Sequence, residues 1–362
     1  MSQESALPVE YQKLDPAVLR ERLRAVRERL GRRVLVLAHH YQRDEIVEQA
    51  DEVGDSLKLA QLAAGRRDAA HIVLCGVRFM AESADILTSP EQAVYLPNPT
   101  AGCLMADMAP EGEAVACWEQ LRQLPGRTVP VTYVNSSAAV KALVGRNGGA
   151  ACTSSNAARV LRWALENGDR VLFLPDQHLG RNTAHAMGID AGRTLVWQPG
   201  RPWGGHEEEA LRPARVILWA GHCYVHQMFQ VSHIRHVRKT DPAMRVIVHP
   251  ECAFDVVQAA DEYGSTEQII RAVRGSPPGS RWAVGTEITL VQRLARQCPD
   301  RTVVPLTRFG TWCANMGRIA LPHLLHTLEG LDAGRPPNRV RVPAETAAHA
   351  REALERMLSL AG

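Results

Sequence analysis

Three cysteines stand in unrelated local contexts: Cys103 in AGCLMADM, Cys223 in GHCYVHQMF and Cys313 in TRFGTWCANMGR. None has a CxxC partner, so no single segment presents a complete metal site. Thiolates are soft ligands, suited to zinc and to iron–sulfur clusters. A second group of side chains suits proton transfer and anion binding: His39 and Tyr41 in AHHYQ, Tyr133 and Asn135 in TYVNS, His249 and Glu251 in VHPEC. Tyrosine and glutamate can exchange protons with a substrate, and histidine can orient or protonate an anion. A third group places hydroxyls where helices are expected to begin: Ser56 in GDSLKLAQLAA, Ser154 in CTSSNAARVLRWAL and Thr266 in GSTEQIIRAV. Helix starts offer unpaired N–H groups that favour carboxylates and phosphate. Taken singly, such residues are more simply read as N-caps, and Ser265 with Gln268 makes a capping box.

Spacing ties the three groups together. Ser56 follows His39 by 17 residues and Thr266 follows His249 by 17; Cys103 and Cys313 follow the same two histidines by 64. In the middle copy Ser154 follows Tyr133 by 21 and Cys223 follows it by 90. The excess is placed in RNGG (146–149) and in the polar loop 198–214. The chain reads as a threefold internal repeat with one cysteine in each copy.

The elements that must position these residues are short β-rich runs alternating with amphipathic helices. VLVLAHHYQ, HIVLCG and AVYLPNP form one group, VPVTYVN, RVLFLP, TLVWQP and RVILWAG a second, and RVIVHPE, RWAVGTE and TVVPL a third. Such alternation predicts an α/β fold with parallel sheets, whose ligand-binding groups gather beyond the carboxyl ends of the strands. The expected organisation is an N-terminal helical extension (1–33), three similar αβα domains (34–112, 113–232 and 233–325) and a C-terminal helical tail (326–362). If the three domains pack about a pseudo-threefold axis, their cysteines converge at a central site. His40, between His39 and Tyr41, is expected on the opposite face.

Composition narrows the alternatives. The chain has 362 residues, 45% hydrophobic and 22% charged, with a net charge of +3. No run approaches the roughly 20 apolar residues that span a bilayer, and basic residues are not clustered as on a nucleic-acid surface. The N-terminus begins polar and continues as a charged amphipathic helix without the apolar core of a secretory signal, which predicts a cytoplasmic protein. There the eight cysteines are not a disulfide framework. Cys75, Cys117 and Cys298 read as core residues, and Cys152 and Cys252 as non-ligands beside the marker positions. Three cysteines could hold a [4Fe-4S] cluster with one iron open as a Lewis acid. Zinc on Cys103, Cys223, Cys313 and His226 is the other reading. GxxxxGK and GxGxxG are both missing, which argues against a nucleotide enzyme.

In order along the chain, AHHYQ, GDSL, AGCLMADM, YVNSSAAVKAL, CTSSNA, GHCYVHQMF, HPEC, GST, GTE and CANM resemble the motifs of the quinolinate synthase family. The resemblance runs from about Val34 to about Leu325. It implies three α/β domains around a [4Fe-4S] cluster held by Cys103, Cys223 and Cys313. It implies condensation of iminoaspartate with dihydroxyacetone phosphate to quinolinate in NAD biosynthesis, with loss of phosphate and water. By the same resemblance Tyr41, Tyr133 and Glu251 are candidates for proton transfer. His39, Ser56, Asn135, Ser154, His226, His249 and Thr266 would bind substrate groups. The resemblance also admits a transient contact with L-aspartate oxidase. A zinc-dependent lyase and an iron–sulfur carrier are the competing readings; a carrier has no use for the repeated hydroxyl, tyrosine and glutamate set. RNGG and loop 198–214 depart from the family pattern.

Overall fold

The computed structural model describes residues 7–360, so the expectations for 1–6 and 361–362 lie outside the described residues. Contacts divide the chain into two compact units, Met1–Cys103 with Cys313–Pro343, and Leu104–Trp312 with Ala344–Gly362.

The first unit is built on strands β1 (Val34–His39), β2 (Glu52–Gly54), β3 (His71–Cys75) and β4 (Ala93–Tyr95), which pair in parallel in the order β4-β3-β1-β2. The apolar run VLVLAH of β1 is buried throughout, as a strand covered on both faces requires. The second unit holds two further sheets. One comprises β5 (Thr128–Tyr133), β6 (Ala150–Cys152), β7 (Arg170–Leu174), β8 (Thr194–Trp197) and β9 (Val216–Trp219), ordered β6-β5-β7-β9-β8. The other comprises β10 (Arg245–Val248), β11 (Glu262–Tyr263), β12 (Arg281–Gly285) and β13 (Thr302–Pro305), ordered β11-β10-β12-β13.

The sheets share one plan: the first strand of each group lies between the second and the third, and another strand follows beyond the third. In the middle sheet β9 takes that outer place, and β8, which ends just before the 198–214 loop, is added at the edge beyond it. The RNGG excess closes the helix Ala138–Arg146: Gly148 has φ 72°, and the Gly149 amide returns to the Val144 carbonyl. That turn also supports the last helix, Ala344–Ser359, through Arg356 to the Gly149 carbonyl.

Every long β-rich run read from the sequence is a strand. The edge strands β2, β6 and β11 lie outside those runs and are only two or three residues long. The segment 326–362, expected to be helical, also contributes β14 (Arg339–Val340), antiparallel to β4. Its strand is held by cross-strand backbone bonds to Val94 and Tyr95, which no helical periodicity foretells. Among the described residues no helix is long and apolar enough to cross a membrane.

Candidate active site

The first and third groups match hydrogen bond by hydrogen bond at a constant separation of 210 residues. The Tyr41 amide donates to His39 Nδ1 at 3.1 Å, and the Glu251 amide to His249 Nδ1 at 3.3 Å. The Asp51 side chain accepts from the Val36 amide at 2.7 Å, as Asp261 does from Val246 at 2.7 Å. Each histidine therefore uses Nδ1 as an acceptor, and its neutral form carries the proton on Nε2, a donor suited to anionic oxygens.

The cysteines are equivalent in backbone as well. In each copy the amide that opens the helix after the third strand donates to the carbonyl two residues before the cysteine: Arg78 to Ala101 at 2.8 Å, Gln177 to Gly221 at 3.0 Å and Ile288 to Thr311 at 2.8 Å. Cys103, Cys223 and Cys313 are half-buried, whereas the other five cysteines are buried. Burial raises the thiols of Cys75, to about 12, and of Cys117, Cys152 and Cys252, which keeps them protonated and poor ligands.

Within the first unit the segments of Cys103, Cys313 and His39 are laced together. Gln42 Nε2 donates to the Met316 carbonyl at 3.0 Å, and Arg43 to the Gly317 carbonyl at 3.0 Å. The Arg318 carbonyl accepts from Asn98 at 2.9 Å, and its guanidinium donates to Thr100 at 3.1 Å. His39 and Tyr41 pack edge to face with ring centroids 4.7 Å apart. Ser56 opens the helix Ser56–Gly65, but Asp55 is its cap, accepting from the Lys58 amide at 2.9 Å. Thr266 likewise opens its helix beside the expected Ser265–Gln268 capping box. The hydroxyls at 56 and 266 are thus not the helix caps.

In the second unit a buried network centres on Glu251. Tyr133 Oη donates to Oε1 at 2.6 Å, and His226 Nδ1 lies 2.8 Å from Oε2. His226 Nε2 is 3.0 Å from Thr286 Oγ1, and its ring stacks on His249 at 4.5 Å and 20°. With Glu251 ionised, His226 donates to it from Nδ1–H. Burial alone would raise the Glu251 carboxyl; His249, His226 and the hydrogen bonds from His226 and Tyr133 outweigh it and hold the group below the usual carboxylate range. Burial pushes His249 down to about 3. His249 is therefore neutral at pH 7, and its 3.8 Å approach to Glu251 is no ion pair there. Ser154 does not open a helix as expected: it lies in a turn, and the helix that follows starts only at Ala157. The four-residue RNGG excess therefore does not bring the middle copy into register at this position. No described hydrogen bond joins Asn135 or Ser154 to this network. Asn135 Oδ1 is buried without a partner.

Donor atoms of Cys223, His226 and Glu251 lie within 4.8 Å of one another, a set that could hold a metal. Both Glu251 oxygens and both His226 nitrogens are already engaged in the hydrogen bonds above. The arrangement is therefore described more fully as a proton-transfer network than as a metal cage.

Four participants escaped the sequence reading: Thr286, Asn182, Gln227 and Asp176. Asp176 could have been found by extending the repeat to the third strands, since Asp176 after β7 and Glu287 after β12 both cap the next helix. Asp176 is fully buried; Oδ1 accepts from the His178 and Leu179 amides and Oδ2 has no partner. Burial, reinforced by the Glu251 charge, raises its carboxyl well above the usual range. Above about pH 4 the folded chain thus holds a proton that the unfolded chain has released, and stability falls as pH rises, by about 1.4 kcal/mol per pH unit, until the raised pKa is passed. Asp176→Asn keeps the cap and escapes this cost. Urea unfolding should find the variant level with the parent near pH 4 and increasingly the more stable of the two toward pH 7; a pH-independent difference would refute the protonated state.

The family model for quinolinate synthetase A protein matches residues 21–359. A quinolinate synthase of Geobacillus kaustophilus is 51% identical over 361 residues, covering 98% of this chain and 97% of the relative. One of Streptomyces coelicolor is 53% identical over 344 residues, 94% of this chain and 87% of the relative. One of Listeria monocytogenes is 47% identical over 359 residues, 99% and 98% of the two chains.

Proposed function

The chain belongs to the quinolinate synthase family and is an enzyme of that kind, acting on small molecules in NAD biosynthesis; from that premise we propose the reaction and the roles of its residues. Iminoaspartate and dihydroxyacetone phosphate combine into the pyridine dicarboxylate, and their atoms balance as quinolinate, phosphate and two waters, with no net oxidation. The observation that carries this reading is the buried Glu251 carboxylate bonded to Tyr133 and His226. Carbon–carbon bond formation and ring closure need protons removed next to an imine or carbonyl, and a carboxylate with two attached proton carriers can do so.

Family membership and the cysteines point to metal binding. We propose that the metal group is a [4Fe-4S] cluster on Cys103, Cys223 and Cys313, which fit it as three soft donors at equivalent backbone positions, half-buried while the other cysteines are buried. When bound, it would supply a Lewis-acidic iron for loss of hydroxide. Glu251 is the principal base; because its donors hold it low, a substrate must displace one of them before it accepts a proton. Tyr133 and Tyr41 move protons. The Nε2–H groups of His39 and His249, with Ser56 and Thr266 at their helix starts and Ser154 in the turn before the helix Ala157–Glu166, bind carboxylates and phosphate. Asn135 Oδ1 is an acceptor for a substrate N–H or O–H. His226 orients Glu251. The ranges 34–112, 113–232 and 233–325 are the three repeats, and a transient contact with L-aspartate oxidase supplies the imine in the cytoplasm.

Cluster-replete protein, prepared anaerobically, should form quinolinate from dihydroxyacetone phosphate and freshly generated iminoaspartate. Product absent from such a sample would sink the reaction, and stoichiometric zinc in an active colourless sample would favour a zinc lyase.

A further inference from the structure

We infer that Asn182 and Gln227 form an amide clamp that positions Glu251 for proton transfer; this rests on the assignment of Glu251 as base. Three successive carbonyls of HPEC are held by side-chain amides. Asn182 Nδ2 donates to Pro250 at 2.8 Å and to Cys252 at 2.9 Å, and Gln227 Nε2 donates to the Glu251 carbonyl between them at 3.1 Å. No backbone amide among the described residues reaches any of the three carbonyls. The turn is closed on its other side by the Glu251 amide to His249 Nδ1 and by the Cys252 amide to the His249 carbonyl at 3.0 Å. The peptide groups on both sides of Glu251 are thereby fixed, and with them the direction of its side chain.

The two amides come from separate, well-seated elements. Asn182 is 2% exposed on the helix Gln177–Ala186. Gly180 lets this helix lie against the sheet: a Cβ there would come within 2.4 Å of Leu218 and 2.8 Å of Phe173. One turn beyond Asn182, His185 packs edge to face on Phe254, the first residue of the helix after HPEC, at 4.9 Å. Gln227 ends the helix Tyr224–Gln227, which begins directly after Cys223 and also carries His226. One short element thus grips Glu251 by its carboxylate through His226 and by its backbone through Gln227. Proton transfer tolerates little displacement of the accepting oxygen, so loosening the turn should be felt at the chemical step first.

The test uses cluster-replete enzyme. Asn182→Leu, similar in shape and without the donors, should lower kcat about 10- to 100-fold with KM changed less than about threefold, as expected for a misplaced catalytic group. Iron and sulfide content should be unchanged. In a Glu251→Gln background the same substitution should lower the residual turnover no further, because it acts through the missing carboxylate. Gln227→Met, which breaks one half-buried bond, should show the same pattern more weakly and decides the matter if Asn182→Leu does not fold. Unchanged kcat in the folded variants, or an undiminished loss in the Glu251→Gln background, overturns the clamp. Failure of the underlying reading looks different: Glu251→Gln alone would then turn over normally.

Discussion

Cys313→Ser should yield a folded chain without a cluster, as should Cys103→Ser and Cys223→Ser. On the proposed three-cysteine ligation each thiolate carries a third of the attachment, and a serine hydroxyl ionises far too high to replace a soft sulfur ligand. Anaerobically reconstituted variants should be colourless, with iron and sulfide near background and no quinolinate formed. Cys117→Ala and Cys75→Ala are the controls: both thiols are buried and held protonated, and iron content should match the parent. A full cluster in Cys313→Ser would refute the ligation. Loss of cluster in Cys117→Ala without loss of fold would show that burial is the wrong criterion for sorting the cysteines.

Glu251→Gln should retain the cluster and lose about 10²- to 10⁴-fold in kcat, the range expected when a positioned base is removed. The amide oxygen can still accept from Tyr133, so the turn survives. Its nitrogen, however, points a donor at His226 Nδ1, which must surrender its proton to accept and then present Nε2–H to Thr286. The substitution therefore removes the proton acceptor and reverses the hydrogen-bond direction at His226 Nδ1. Tyr133→Phe, which deletes one donor and leaves the carboxylate, should cost less and raise the Glu251 pKa, visible as an upward shift of the acidic limb of kcat against pH. Near-normal turnover of Glu251→Gln with an intact cluster would remove Glu251 from the role of base.

Much of the fold is legible in the order of residue types. A buried parallel strand must be apolar on both faces, so VLVLAH, HIVLC and RVLFL announce themselves, and the alternation with helices follows. The repeat is legible because equivalent turns need equivalent residues: His39 and His249 accept the same i+2 amide, and Asp51 and Asp261 the same strand amide. Two- and three-residue edge strands are not legible, since their pairing is set by the neighbouring strand and leaves no period of its own. Ser56 and Thr266 open their helices, with caps at Asp55 and Ser265, whereas Ser154 stands three residues ahead of its helix.

For the site, sequence spacing singled out Cys103, Cys223 and Cys313 and the markers His39, Tyr41, Tyr133, His249 and Glu251, because local turn geometry recurs with the chain and needs no knowledge of long-range contacts. Tertiary structure decided which side chains meet: Tyr133 and Glu251 are 118 residues apart, His226 and Thr286 60, and Asn182 and Pro250 68. It also decided their charge states. Glu251 and Asp176 are both carboxyls at strand ends, yet one sits among donors and is held ionised while the other is buried with an unpartnered oxygen and keeps its proton. Burial and hydrogen bonding set that difference, and both exist only once the chain has folded.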